Sequence, residues 1–169
     1  MKMKQPAFTR ALVAVCLVSR LAADPTCPEP SVTYGADTPF LLIARMTIPE
    51  DKVADYLKAA EEVDTAVRNS ETGMLHHTFD QDPEDPNKFV WSEVYSSDAA
   101  LLNHLVNPPV GAYLGAHTEL CGGLDEKSFT VEIYGTLDDA TKAEALKLPV
   151  PVKFYDTKFG YNRGGSWKK

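Results

Sequence analysis

The chain has 169 residues, of which 44% are hydrophobic and 24% charged, enough for one domain with a real apolar core. Its formal net charge of −7 argues against a surface for nucleic acid or anionic membrane, because phosphates would meet no neutralising cations. The first residues differ in kind from the rest. Lys2, Lys4 and Arg10 precede a short apolar run, residues 11–18, too short to span a bilayer, and Ala22 and Ala23 follow. This is the pattern of a secretory signal peptide over residues 1–23, which implies a secreted or secretory-pathway protein without a membrane anchor in its mature form. Arg20 and the lack of any acid before Asp24 keep an organelle transit peptide, or a plain disordered tail, as alternatives. Removing this leader leaves Cys27 and Cys121, which in an exported protein either pair or stand as two unrelated thiols. No CxxC or Cys/His spacing suggests zinc, and no metal is expected.

Residues 24–38 are proline-rich and aperiodic, a linker or extended arm. Residues 40–46 (FLLIARM) lie between Pro39 and Pro49 and read as a strand buried on both faces. Thr47 and Glu50 have capping-box spacing, and Pro49 suits a first helical turn. The helix that follows is predicted to reach about Arg68, with Val53, Leu57, Ala60, Val63 and Val67 as its apolar stripe. Residues 74–80 form a second strand, with His76 and Thr78 on one side and Leu75, His77 and Phe79 on the other. Residues 81–87 form a hairpin loop. Its acids lack the central glycine and closing glutamate of a calcium loop and read as a solvated turn.

Residues 89–104 (FVWSEVYSSDAALLNH) are the densest stretch chemically. Phe89, Trp91, Glu93 and Tyr95 fall on one strand face; Ser96, Ser97 and Asp98 supply turn and N-cap chemistry; a second helix follows. Asn107-Pro108-Pro109 ends it, and residues 110–120 form a short, imperfect helix. Residues 128–136 make a fourth strand with Phe129, Val131 and Ile133 inward. Residues 138–148 read as an added helix and residues 149–161 as an extended arm. The order is β-α-β-β-α-β, an α+β, ferredoxin-like domain over residues 39–137 with an extension at 138–169. Two helices cover one face of a four-stranded sheet. A second copy of the chain is the cheapest cover for the other, which would make a homodimer, a dimeric α/β barrel.

Residues 40–134 resemble the antibiotic-biosynthesis monooxygenase domain. The resemblance rests on this element order, on Glu71-Thr72-Gly73 before strand two, on residues 82–87 (DPEDPN) in the hairpin, and above all on Glu93-Val94-Tyr95 followed by Ala100 and His104. Members with this look include cofactor-free quinol oxygenases, a haem-degrading branch and an isomerase of a phosphorylated signalling sugar. They hold substrate between the helices and the sheet. The resemblance implies that Glu93, Tyr95 and His104 line such a pocket. Ala44 and Arg45 stand where the haem-degrading branch uses asparagine, which disfavours haem. Pro108-Pro109 stands where isomerase members tend to show a second histidine.

The resulting expectation is a monooxygenase that needs no cofactor and acts on a small phenolic or quinol-type substrate. His104 is its base, Glu93 orients or relays, and Tyr95 polarises the substrate. Trp91 could stack on an aromatic substrate. Since His76 and His77 point oppositely, one of them, assigned as His77, meets the pocket. Asn103 and His117 are rim candidates. Arg45 could bind an anionic group or pair with Glu132. The alternatives are an isomerase or cyclase on the same fold and a non-catalytic small-molecule-binding dimer. The extension could cap the pocket or embrace the partner.

Overall fold

Strand β1 (Phe40–Thr47) is the axis of the fold, paired antiparallel with β3 (Lys88–Tyr95) on one side and β4 (Phe129–Tyr134) on the other. The structure is a computed structural model that describes Gly35 and residues 37–159. The leader, most of the linker, Cys27 and hence the Cys27–Cys121 question lie outside the described residues. Strand β2 (Met74–Gln81) pairs with β3, and the antiparallel order β2-β3-β1-β4 is the ferredoxin-like one expected from the pattern. Among the described residues no helix is long and apolar enough to cross a membrane.

Alternation decides which sheet face is core. Phe40, Leu42, Ala44 and Met46 are buried, and so are Phe89, Trp91, Tyr95 and Phe129, Val131, Ile133. The expectation that β1 is buried on both faces is corrected within the single chain. Leu41 and Ile43 are half-buried and the Arg45 side chain is 56% exposed.

Helix α1 (Val53–Ser70) packs on the core face behind a short 3-10 turn, Glu50–Lys52. The capping box is not formed. Thr47 belongs to β1, where its N–H donates to the Ser128 carbonyl (3.0 Å), and no side chain caps the turn. The apolar stripe is shifted as well. Tyr56, Ala60, Val63 and Val67 are buried, while Leu57 is 44% exposed. Helix α2 (Asp98–Leu105) starts with Ser97, whose side chain accepts from the Ala100 N–H (3.3 Å). Helix α3 (Pro108–Cys121) is longer than expected, with its prolines in the first turn, where a missing N–H costs nothing. Gly122 ends it at φ +79°, a left-handed cap that favours glycine.

The extension departs most from expectation. Helix α4 (Asp139–Ala145) forms as predicted, but the arm is a strand, β5 (Val152–Tyr155), added parallel to β4. The sheet therefore has five strands, β2-β3-β1-β4-β5. Asp98 ties the extension to α2, because its carboxylate accepts the Asp138 N–H (2.8 Å).

One glycine sets how closely β2 approaches α2. A Cβ on Gly73 would lie 2.6 Å from the Ala100 Cβ and 3.2 Å from the Ser96 Oγ. Gly73→Val should destabilise the protein by about 1–3 kcal/mol through forced separation of these elements, measurable by chemical denaturation. A variant as stable as the parent would show that β2 and α2 can part without cost.

Candidate active site

Four elements converge on the core face of the sheet. Strand β3 presents Trp91, Glu93 and Tyr95 inward. The last turn of α2 lays His104 across them, and the residue that caps α1 is Glu71. Strand β2 has a bulge between Met74 and His76, which turns both Met74 and His77 toward the core.

His104 and Glu71 form a buried pair. The imidazole Nδ1 lies 3.0 and 3.1 Å from the two Glu71 carboxylate oxygens, and the Asn107 side-chain amide donates to Glu71 Oε1 at 2.6 Å. Burial alone would raise the Glu71 carboxyl. The bonds from His104 and Asn107 and the nearby imidazole charges outweigh it, holding the group below the usual glutamate range. Burial alone would lower His104. The Glu71 bond and the charges of Glu93 and Glu71 outweigh it, so the imidazole titrates above its ordinary 6.5. With Nδ1 held by Glu71, Nε2 is the nitrogen left to act on a bound molecule.

A second set lies beside it. The Tyr95 hydroxyl donates to Glu93 Oε2 at 2.5 Å, and burial followed by the Glu93 charge keeps this phenol protonated. His77 stacks on Trp91 with ring centroids 4.2 Å apart, holds Asp64 Oδ1 at 2.9 Å through Nδ1, and sets Nε2 3.8 Å from Glu93 Oε1. The rings of His77 and His104 are 6.4 Å apart, and His104 meets the Tyr95 ring edge-on at 5.5 Å.

His77, Trp91, Glu93, Tyr95 and His104 border one cavity of about 60 Å³, and Glu71 stands behind His104. Apart from Tyr113 the rest of its wall is apolar, with Leu42 and Val131 from the sheet, Leu105 and Val110 from the helices, and Leu148 and Val150 from the chain after α4. The extension therefore contributes part of the cavity wall.

Of the expected site residues, His104, Glu93, Tyr95, Trp91 and His77 come together here. Three do not. Asn103 precedes His104 by one helical step and is exposed. Arg45 sits on the opposite sheet face, paired with Glu132 at 3.3 Å. His117 is fully buried behind the cavity, with Nδ1 on the Tyr56 hydroxyl (2.7 Å) and its ring edge-on to Phe129. Burial lowers its pKa to about 4, so it stays neutral. It ends a chain in which the Trp91 indole donates to the Tyr113 hydroxyl (2.9 Å) and Tyr113 to Tyr56 (2.8 Å). Two details also change. Glu71 rather than Glu93 orients His104, and the Tyr95 hydroxyl is spent on Glu93.

Glu71, Asp64 and Tyr113 carry no signal as site residues in the spacing of the apolar positions. Glu71 had one usable sign. An acid at a helix C-terminus opposes the helix dipole and calls for a partner.

A scan against protein-family models matches residues 39–115 to the antibiotic biosynthesis monooxygenase family. The matched segment contains Glu71, His77, Trp91, Glu93, Tyr95 and His104, whereas β4, α4 and β5 lie beyond it. Among relatives, the uncharacterized protein sll1783 of Synechocystis is 26% identical over 117 residues, 68% of this chain and 76% of its own. The fold is similar to that of MupZ from Pseudomonas fluorescens (TM-score 0.57, 18% identity, 75% of this chain and 96% of that one). It is also similar to that of Rv0793 from Mycobacterium tuberculosis (TM-score 0.52, 23% identity, 61% and 99%).

Proposed function

We propose that this protein is a monooxygenase that oxidises a small phenolic or quinol-type compound, with His104 as the base and no added cofactor. The observation that carries this reading is the His104–Glu71 pair at the wall of an apolar cavity. The Glu71 carboxylate accepts a hydrogen bond from the Nδ1–H of His104, which fixes the tautomer and leaves a basic Nε2. That nitrogen removes the phenolic proton, and the charge spreads to a ring carbon. The electron-rich carbon gives one electron to O₂, and the radical pair joins as a C–O bond. Loss of the ring hydrogen with O–O cleavage then leaves one oxygen as a new carbonyl and the other as water.

The cavity, at about 60 Å³, is smaller than the roughly 150 Å³ that holds one benzene ring, so a single-ring substrate enters only as the surrounding side chains give way. A polyhydroxylated sugar phosphate would leave hydroxyls unpaired against Leu42, Val131 and Val110, each costing about 1–3 kcal/mol. The walls therefore favour the aromatic substrate over the isomerase reading. The test is oxygen uptake with a panel of single-ring hydroquinones and larger polyphenols, with no flavin or metal added and His104→Ala alongside. Uptake that is lost in the variant is the expected result. No uptake from the folded protein with any compound would overturn the oxygenase reading.

The homodimer belongs to the same reading. Leu41, Ile43, Val90 and Val94 form a half-exposed apolar band on the sheet face that the helices leave open, and Tyr134 beside them is 37% exposed. A second copy would cover this band. Ile43→Asp should convert a dimer to a monomer in light scattering, and a parent already monomeric at micromolar concentration would exclude the pairing.

A further inference from the structure

Among the described residues, His77 is the one side chain that lines both the inner cavity and a polar cleft between α1 and β2. That cleft is bordered by Asp64, Arg68 and Glu71. His77 has a carboxylate at each end of its ring. Nδ1 holds Asp64, whose side chain is 35% exposed, and Nε2 faces Glu93, whose side chain is 7% exposed. The ring is braced flat against Trp91. From inside to outside the order is Tyr95 hydroxyl, Glu93, His77, Asp64, with separations of 2.5, 3.8 and 2.9 Å.

We infer that His77 is a proton shuttle between the reaction cavity and the outer cleft. The inference rests on reading the cavity as the place where His104 removes a proton. Apolar walls offer a released proton few acceptors. Glu93, which shares the cavity wall with His104, takes the proton from it through a bound water; a second water carries it across the 3.8 Å to His77 Nε2, His77 gives up its Nδ1 proton to Asp64, and Asp64 passes it to solvent. Imidazole suits this task because each nitrogen both gives and takes a proton near neutral pH. The groups facing His77 are Asp64 from α1, Glu93 and Trp91 from β3, His104 from α2, and Glu71 through its charge. Glu71 is the competing exit, because it touches His104 and also borders the cleft. Its carboxyl is held below the usual range and gives up a proton more readily than it accepts one from His104.

The test is the exchange of the His104 imidazole proton with water, read by NMR on protein with ¹⁵N-labelled histidine, without substrate or oxygen. His77→Gln should slow exchange by about tenfold or more, and imidazole in the buffer should restore it. Asp64→Asn removes the outer acceptor, leaves the cavity wall intact and should slow exchange in the same direction. If His77→Gln loosens the packing on Trp91 and exchange accelerates, the Asp64→Asn result decides. Exchange unchanged in Asp64→Asn, or unchanged in a folded His77→Gln, overturns the shuttle and leaves Glu71 as the exit. Neither result depends on whether the protein consumes oxygen, so the shuttle and the oxygenase reading fail separately.

Discussion

Replacing His104 by glutamine is expected to lower kcat/KM for a phenolic substrate by about 10²–10⁴-fold, nearly all of it in kcat. The reason is specific to this site. Glutamine can still meet Glu71 through its amide, and it keeps much of the packing against Tyr95, but it offers no basic nitrogen to the cavity. Binding of an unreactive phenol should therefore survive the substitution. Oxygen uptake and phenol affinity, measured on the same preparation, separate the two effects. A variant that loses affinity and rate together would point to a packing role for the ring.

The second large effect is expected at Glu71, and it is readable as a shift along the pH axis. Glu71→Gln removes the charge that helps raise His104, so the acid limb of the pH–rate profile should move to lower pH. The plateau should fall roughly 100-fold, because the amide no longer enforces the tautomer with Nε2 unprotonated. Stability should respond in the opposite sense. His104 titrates above its ordinary 6.5, so its contribution is complete below that value and is lost as pH rises through the raised pKa. Glu71 titrates below its ordinary 4.5, so its contribution is complete above that value and is lost as pH falls through the lowered one. Between about pH 4.5 and 6.5 both are present. There the parent should exceed Glu71→Gln by about 2 kcal/mol, and the gap should shrink toward pH 9. Urea titrations at pH 5.5 and 9 check this. A gap that does not depend on pH would mean that the pair is not ionised in the folded protein. The pair thus stabilises the protonated imidazole, the form that cannot act as a base, and the site gains activity as it gives up that stabilisation.

How much of this was legible in the residues depends on where each constraint comes from. Strand β3 was readable because Phe89, Trp91, Glu93 and Tyr95 repeat at a spacing of two, and one face of a strand is fixed by that spacing alone. Ser97 announced the start of α2 for the same local reason. Position on a helix was harder to fix. Asn103 and His104 are neighbours in sequence but one helical step apart around the axis, and only His104 reaches the cavity. Arg45 is kept from the cavity by strand parity, being one residue away from the inward Ala44, and takes the other reading open to it, the pair with Glu132. Strand β5 was invisible because four residues following two prolines declare nothing until β4 lies beside them. Glu71 was missed because its partner stands 33 positions along the chain, and no local pattern reports a contact of that range.

The sharpest test of the claim that His104 deprotonates a phenol in this cavity is the ionisation state of a bound chromogenic nitrophenol, read by absorbance without oxygen. The wild-type protein should show the phenolate band at a pH well below the free compound's own pKa, and His104→Gln should bind the same compound without that band. A nitrophenol bound in its neutral form by the wild-type protein, or ionised equally by the variant, would contradict the assignment of His104 as the base.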